Sequence, residues 1–220
     1  MTFLLRQLSE HDVGQVAEIE KEAFPTLWPR TPFKRDISNR KINHLVVTRS
    51  SSQSELTNKA IHPTSTISHT LITRLVMRVL NRQNQSHSSF PTTTDIPIGY
   101  VGTWFLTDEA HITAIAVSEQ WQGQGLGELL LIGAIEESMR RGSRMVTLEA
   151  RISNNKALSL YKKYGFIRTG TRKGYYSDNK EDAAIMETDP IPSLGFQTRF
   201  SHLKDSFFSH HDRMKLSEYP

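Results

Sequence analysis

The sequence predicts a mixed α/β domain, and three observations carry the prediction. Segments rich in β-branched and aromatic residues alternate with segments of helical periodicity, in the order α-α-β, insertion, β-β-α-β-α-β-β. A glycine-rich turn, Gln122-Gly-Gln-Gly-Leu-Gly127, stands between a strand and an amphipathic helix. No internal repeat competes with this reading.

The first helix is read from Ser9: Ser9 and Asp12 have capping-box spacing, and Val13, Val16, Ala17 and Phe24 recur at roughly helical intervals. Phe24-Pro25 ends it. Thr31-Pro32 reads as an N-cap followed by proline at the first helical position, opening a short helix to about Asn39. Residues 44–48 read as a strand.

Between residues 50 and 95 the composition shifts, with Ser or Thr at 17 of 46 positions, which suits a polar insertion or linker better than a core. Inside it, Leu71, Ile72, Leu75, Val76, Val79 and Leu80 form an apolar stripe while Arg74, Arg78 and Arg82 recur every four residues. That pattern predicts a short basic amphipathic helix, suited to docking on the domain's own surface or on a partner, RNA or an anionic membrane face.

Residues 96–106 and 110–117 predict an antiparallel hairpin around Thr107-Asp-Glu109. The helix after the glycine turn places Leu126, Leu129, Leu130, Gly133 and Ala134 on one stripe, carries Glu136/Arg140 and Glu137/Arg141 as i,i+4 pairs, and stops at Gly142. Residues 145–150 follow as a strand, 154–164 as a helix, and 166–188 as two strands around Ser177-Asp-Asn-Lys180. The reading is one domain over 1–189, interrupted by the insertion. Beyond Pro190 periodicity fades, and 190–220 is expected to be a poorly ordered extension.

The chain has 220 residues, 37% hydrophobic and 23% charged, with a formal charge of +4. Cysteine is absent, which excludes disulfide frameworks, thiolate metal sites, iron–sulfur clusters and a cysteine nucleophile, and fits a reducing compartment. The opening MTFLLRQLSEHD lacks a basic region followed by an apolar one, and no run approaches 18 apolar residues, so neither secretion nor membrane spanning is expected. A cytoplasmic location follows as an expectation. The pI near 9.3 permits proximity to nucleic acid, but so small a charge spread over the chain predicts no direct nucleic-acid site. His210-His211 lacks the spacing of a metal site, and no metal is expected. Oligomeric state cannot be read.

In the glycine turn, several backbone N–H groups converge at a helix N-terminus, where a phosphate would bind; the alternative is a tight strand-to-helix connection with no ligand. Leu130 stands where the third glycine of a dinucleotide motif belongs, and no G-x-x-x-x-G-K-[ST] occurs.

Taken together, Ile115-Ala-Val117, Gln122-x-x-Gly125-x-Gly127, Leu148-Glu-Ala-Arg151, Ser153-Asn154, Leu160-Tyr161 and Gly165-Phe166 resemble the GNAT acetyltransferase superfamily, most closely its bacterial ribosomal-protein-alanine N-acetyltransferase branch. Glu22-Ala-Phe-Pro25, Tyr175-Tyr176 and Glu181-Asp-Ala-Ala-Ile-Met186 add to the likeness. It is strong over about 96–189, moderate over 3–49 and absent from the insertion and tail. The implied fold is a mixed, mostly antiparallel sheet flanked by helices, with a splayed strand pair holding the cofactor.

The resemblance implies acetyl-CoA as acyl donor, its pyrophosphate on the amides of Gly123, Gln124, Gly125, Leu126, Gly127 and Glu128, its arm along the strand edge at Ile115, Ala116 and Val117, and a hydrogen bond from Asn154. Asn154 is equally a helix N-cap. Gly123 and Glu128 depart from the family, which often carries Arg or Lys there. Glu149 would be the general base and Tyr161 the general acid, with Tyr175 and Tyr176 lining the acceptor groove. The alternatives are an ion pair of Glu149 with Arg151 or a lysine, core packing of Tyr161 beside Ala157, Leu160 and Tyr164, half-buried packing of Tyr175 and Tyr176, and packing of Trp121 under the turn. The implied acceptor is the N-terminal amine, that of Ala, of a small-subunit ribosomal protein. Relaxed N-terminal or lysine specificity, and a non-catalytic acyl-CoA-binding module, are the competing readings.

Overall fold

Eight strands form one sheet in the computed structural model, which describes residues 1–26, 29–50 and 95–217. In chain order they are β1 (Thr2–Gln7), β2 (Ile42–Ser50), β3 (Ile96–Phe105), β4 (Glu109–Val117), β5 (Met145–Arg151), β6 (Phe166–Arg172), β7 (Ala183–Thr188) and β8 (Met214–Leu216). The described helices are α1 (Val13–Ala23), α2 (Phe33–Asp36), α3 (Leu126–Arg140), α4 (Asn155–Lys163) and α5 (Leu194–His210). The strand order is β6-β7-β5-β4-β3-β2-β1-β8. All pairs are antiparallel except β4/β5 and β1/β8. The expected mixed, mostly antiparallel sheet flanked by helices is what the chain forms.

Period-two alternation splits each strand between two faces. On one face α1 and α2 bury Val16, Ile19 and Phe33 against Val46, Tyr100 and Ala116. On the other, α3, α4 and α5 cover Leu5, Leu45, Val101, Val146, Leu148 and Met186. Ser9 opens the turn before α1, its N–H and hydroxyl both donating to Asp12, as the spacing predicts. The helix expected at 32–39 is only one turn long, Phe33–Asp36, because the chain then turns towards β2, with Asn39 N–H donating to the Asp36 carbonyl and Ile42 N–H to the Asn39 carbonyl.

The largest departure lies past Pro190. In place of a poorly ordered extension, α5 runs for 17 residues and β8 pairs in parallel with β1. The reason is visible in α3, where Leu131, Ile132 and Ile135 are as fully buried as the predicted stripe. Over residues 129–135 this helix is apolar on every side, and such a stretch needs cover on two sides. Phe196, Phe200 and Phe207 of α5 join that core, and Lys204 Nζ donates to Glu136 Oε1 of α3 at 2.6 Å. The insertion at 50–95, with its basic helix at 71–82, lies outside the described residues apart from its two ends.

Two details position the site. Gly102 pairs with Ala114 and Thr103 with Ile112, leaving Thr113 as the extra residue of a β-bulge. A side chain at Gly102 would meet the Thr113 hydroxyl, so glycine admits the bulge. The β4/β5 ladder ends at Ile112 and Leu148. Beyond it, residues 114–117 pair only with β3 and residues 149–151 only with β7, so the two strands part and present unpaired edges to each other.

Candidate active site

Leu148 and Val146 point into the core, so alternation turns Thr147, Glu149 and Arg151 to the opposite face of β5. Glu149 is the first residue past the end of the β4/β5 ladder. Its side chain is only 7% exposed, and both carboxylate oxygens are engaged: Oε2 lies 3.2 Å from His111 Nε2 and Oε1 3.1 Å from an Arg172 guanidinium nitrogen. The hydrogen bond from His111, outweighing burial and aided by the charges of His111 and Arg172, holds the carboxyl below the usual glutamate range. Glu149 is therefore ionised at neutral pH and positioned rigidly. The sequence offered Arg151 as its partner, but Arg151 binds Asp178 and Glu181 at 2.7 and 3.1 Å.

His111 is held from its other side too. Its Nδ1 lies 2.9 Å from the Thr147 hydroxyl, which donates to Glu109. A chain of four side chains thus runs from Glu149 through His111 and Thr147 to Glu109 at the start of β4. Sequence reasoning missed His111, Thr147, Glu109 and Arg172. The available signal was a titratable residue inside an apolar strand, Ala110-His-Ile112, opposite a second strand bearing a carboxylate.

Tyr161 projects from α4 and is buried, its ring 5.7 Å from that of Phe166. Burial, and secondarily the nearby Tyr176, pushes its hydroxyl up to about 12. Tyr176 in turn is pushed up to about 12, by burial with smaller contributions from Tyr175 and Glu149, while Arg151, 3.9 Å above its ring, works the other way. Tyr175 is half exposed and feels the Glu149 charge. The tyrosine pair thus lies within electrostatic reach of both Glu149 and Tyr161.

At the glycine turn, Gly123 and Gly125 adopt φ of +77° and +85°, which side-chain-bearing residues rarely tolerate. Gly125 is the N-cap of α3, its carbonyl accepting from Leu129 N–H at 3.0 Å. A side chain at Gly123 or Gly127 would meet nothing within 4 Å, so the backbone there is open to an incoming group. Ile115, Ala116 and Val117 lie on the β4 edge that β5 leaves. Asn154 caps α4, its side chain accepting from Ala157 N–H, as the N-cap reading expects. Glu128 turns to α4, where Lys163 and the Tyr164 hydroxyl bind it at 2.5 and 2.6 Å. Trp121 packs edge-on against Phe3 beneath the turn. Among the described residues no cluster could hold a metal, and no helix is long and apolar enough to cross a membrane.

The sequence model of the acetyltransferase (GNAT) family matches residues 68–166. A Bacillus subtilis (strain 168) relative, whose name assigns it provisionally as a ribosomal protein bS18-alanine N-acetyltransferase, is 48% identical over 88 residues, 40% of this chain and 58% of that protein. The Escherichia coli (strain K12) ribosomal protein bS18-alanine N-acetyltransferase is 43% identical over 86 residues, 38% of this chain and 58% of its own. The chain thus spans under two thirds of the curated relatives it matches first. In three dimensions, the crystal structure of the ribosomal-protein-S18-alanine N-acetyltransferase from Escherichia coli superposes over 86% of this chain and 94% of its own, with TM-score 0.59 and 26% identity. Ard1 from Thermoplasma volcanium shares the fold over 85% of this chain and 97% of its own, at TM-score 0.57 and 19% identity. With an ionised buried glutamate at a parted strand pair and a glycine cradle capping the helix that follows β4, the chain resembles the GNAT acetyltransferase family in sequence over residues 68–166 and in fold.

Proposed function

We propose that this chain is an acetyl-CoA-dependent protein N-alpha-acetyltransferase. The observation that carries the reading is the placement of Glu149 beside the parted edges of β4 and β5, one end of which leads to the glycine cradle. The residues present fit the donor: open backbone at Gly123 and Gly127 and the N-terminus of α3 suit a pyrophosphate, and the unpaired edge at Ile115–Val117 suits an amide-bearing arm. Acetyl-CoA supplies the acyl group as a thioester.

Glu149 accepts the proton of the acceptor ammonium, directly or through water, so that a neutral amine attacks. His111 and Arg172 fix the carboxylate. The Tyr161 hydroxyl, kept protonated by burial, gives its proton to the departing thiolate sulfur. Transfer is direct, without an acyl-enzyme. A carboxylate held below its usual range is a weak base, so it suits an α-ammonium of pKa about 8 better than a lysine at about 10.4. The names of the relatives support an N-terminal alanine of a small-subunit ribosomal protein as acceptor, and a cytoplasmic setting goes with it.

The test is thiol release from acetyl-CoA with Ala-, Ser- and Met-initiated peptides and one N-blocked peptide bearing lysine. Release with the Ala-initiated peptide supports the reading. Release with lysine alone overturns the acceptor, and cofactor binding without release from any peptide overturns the enzyme.

A further inference from the structure

The C-terminal segment reaches the glycine turn. α5 starts near Gly165, where Arg199 packs, crosses α3 at the Lys204–Glu136 pair and ends at His211 against Gly125. A Cβ built on Gly125 would lie 2.9 Å from His211 Nε2 and 3.4 Å from Phe207, so the imidazole rests on the N-cap of α3. The ring is held there twice over. It stacks on Phe207, with centroids 4.3 Å apart and planes 21° from parallel, and its Nδ1 lies 2.9 Å from the Phe207 carbonyl oxygen.

That second contact fixes the chemistry of the other ring nitrogen. A carbonyl oxygen only accepts, so Nδ1 carries the hydrogen in both protonation states. Nε2 is then the nitrogen left to meet a ligand, and in the imidazolium form it is an N–H donor bearing positive charge. It makes no hydrogen bond among the described residues.

The turn itself lacks such a group. Position 123 is glycine, and at 128 a glutamate stands, its charge matched by Lys163 on the α4 side. We propose that the C-terminal segment completes the phosphate end of the cofactor site, His211 Nε2 supplying the cationic donor to a cofactor phosphate that Gly123 and Glu128 do not. The inference rests on the acetyl-CoA reading above.

Isothermal titration of the full chain tests it, with CoA, with dephospho-CoA, which lacks the ribose 3′-phosphate, and with S-acetylpantetheine, which lacks every phosphate. His211→Phe keeps the stack on Phe207 and removes the donor; His211→Arg keeps a cation. One charge-assisted hydrogen bond lost corresponds to a roughly five- to twentyfold weaker CoA affinity for His211→Phe. His211→Arg should stay within about threefold of wild type, and S-acetylpantetheine should show the same KM and kcat in all three proteins. A loss shared by dephospho-CoA assigns the contact to the pyrophosphate, and a loss confined to CoA assigns it to the 3′-phosphate; either supports the proposal. Unchanged CoA affinity in His211→Phe overturns it, as does an equal loss with S-acetylpantetheine, which would mark the ring as packing alone. A wild-type protein that binds no CoA would instead remove the acetyl-CoA reading itself.

Discussion

His111 Nε2 lies 3.2 Å from Glu149 Oε2, across the gap that opens where β4 and β5 cease to pair. The two residues come from strands with no polar run to announce them, and parallel pairing alone brings His111 opposite Thr147 and beside Glu149.

Glu149→Gln removes the proposed proton acceptor and keeps the side-chain shape. Turnover should fall about 10²- to 10⁴-fold while CoA affinity stays within a factor of about two. Steady-state kinetics and titration calorimetry decide it; turnover within about tenfold of wild type would take the base role away from Glu149.

His111 and Arg172 hold the Glu149 carboxyl below its ordinary range, so in wild type the ionised form persists to unusually low pH. The double variant His111→Gln, Arg172→Met lets that value rise. The acid limb of kcat/KM should therefore move to higher pH, because protonated Glu149 cannot accept the ammonium proton. A limb that stays in place in the pH–rate profile would belong to another group.

Tyr161→Phe keeps the ring against Phe166 and discards the hydroxyl. Expected are a melting temperature within about 3 °C of wild type and a kcat lower by about 10²-fold or more. Loss of stability without loss of kcat would reduce Tyr161 to a packing residue.

Gly133 sits in α3 where a Cβ would run into Leu5 and lie 3.0 Å from Leu45. Gly133→Ala gains helix propensity but overpacks the contact with β1 and β2, so a net destabilisation of about 1–3 kcal/mol is expected from chemical denaturation. A more stable variant would mean that Leu5 can rotate away freely.

Phe200 is buried between α5 and Tyr164, with ring centroids 6.2 Å apart. Phe200→Ala should cost about 3–5 kcal/mol in the same measurement. A cost below about 1 kcal/mol would show that α5 adds little to the core.

Most of the sheet was legible in the sequence because period-two runs and glycine punctuation mark β3 to β7 clearly. β1 was not, since Phe3 and Leu5 alternate over only six residues, with Arg6 and Gln7 diluting the pattern. In α5, Phe196, Phe200 and Phe207 do recur at helical spacing, but His, Lys, Arg and Asp between them hide the stripe. The stronger clue lay in α3, where Leu131, Ile132 and Ile135 fall off the predicted stripe and ask for a second cover. At the site, motif order led to Glu149, Tyr161 and the glycine turn. The partners of Glu149 were out of reach, because which strand lies beside β5 is a property of topology, and Arg172 is 23 positions away along the chain.

The cover on α3 also sets an order in time. During synthesis, residues 126–140 emerge well before residues 194–210, so for that interval a helix apolar on every side over residues 129–135 has only half its shelter. A nascent chain stalled before α5 would present Leu131, Ile132 and Ile135 to solvent or to whatever holdase is at hand. Maturation of this fold is therefore expected to wait on α5, and slow translation through residues 194–210 should raise the aggregated fraction more than an equal delay anywhere after them.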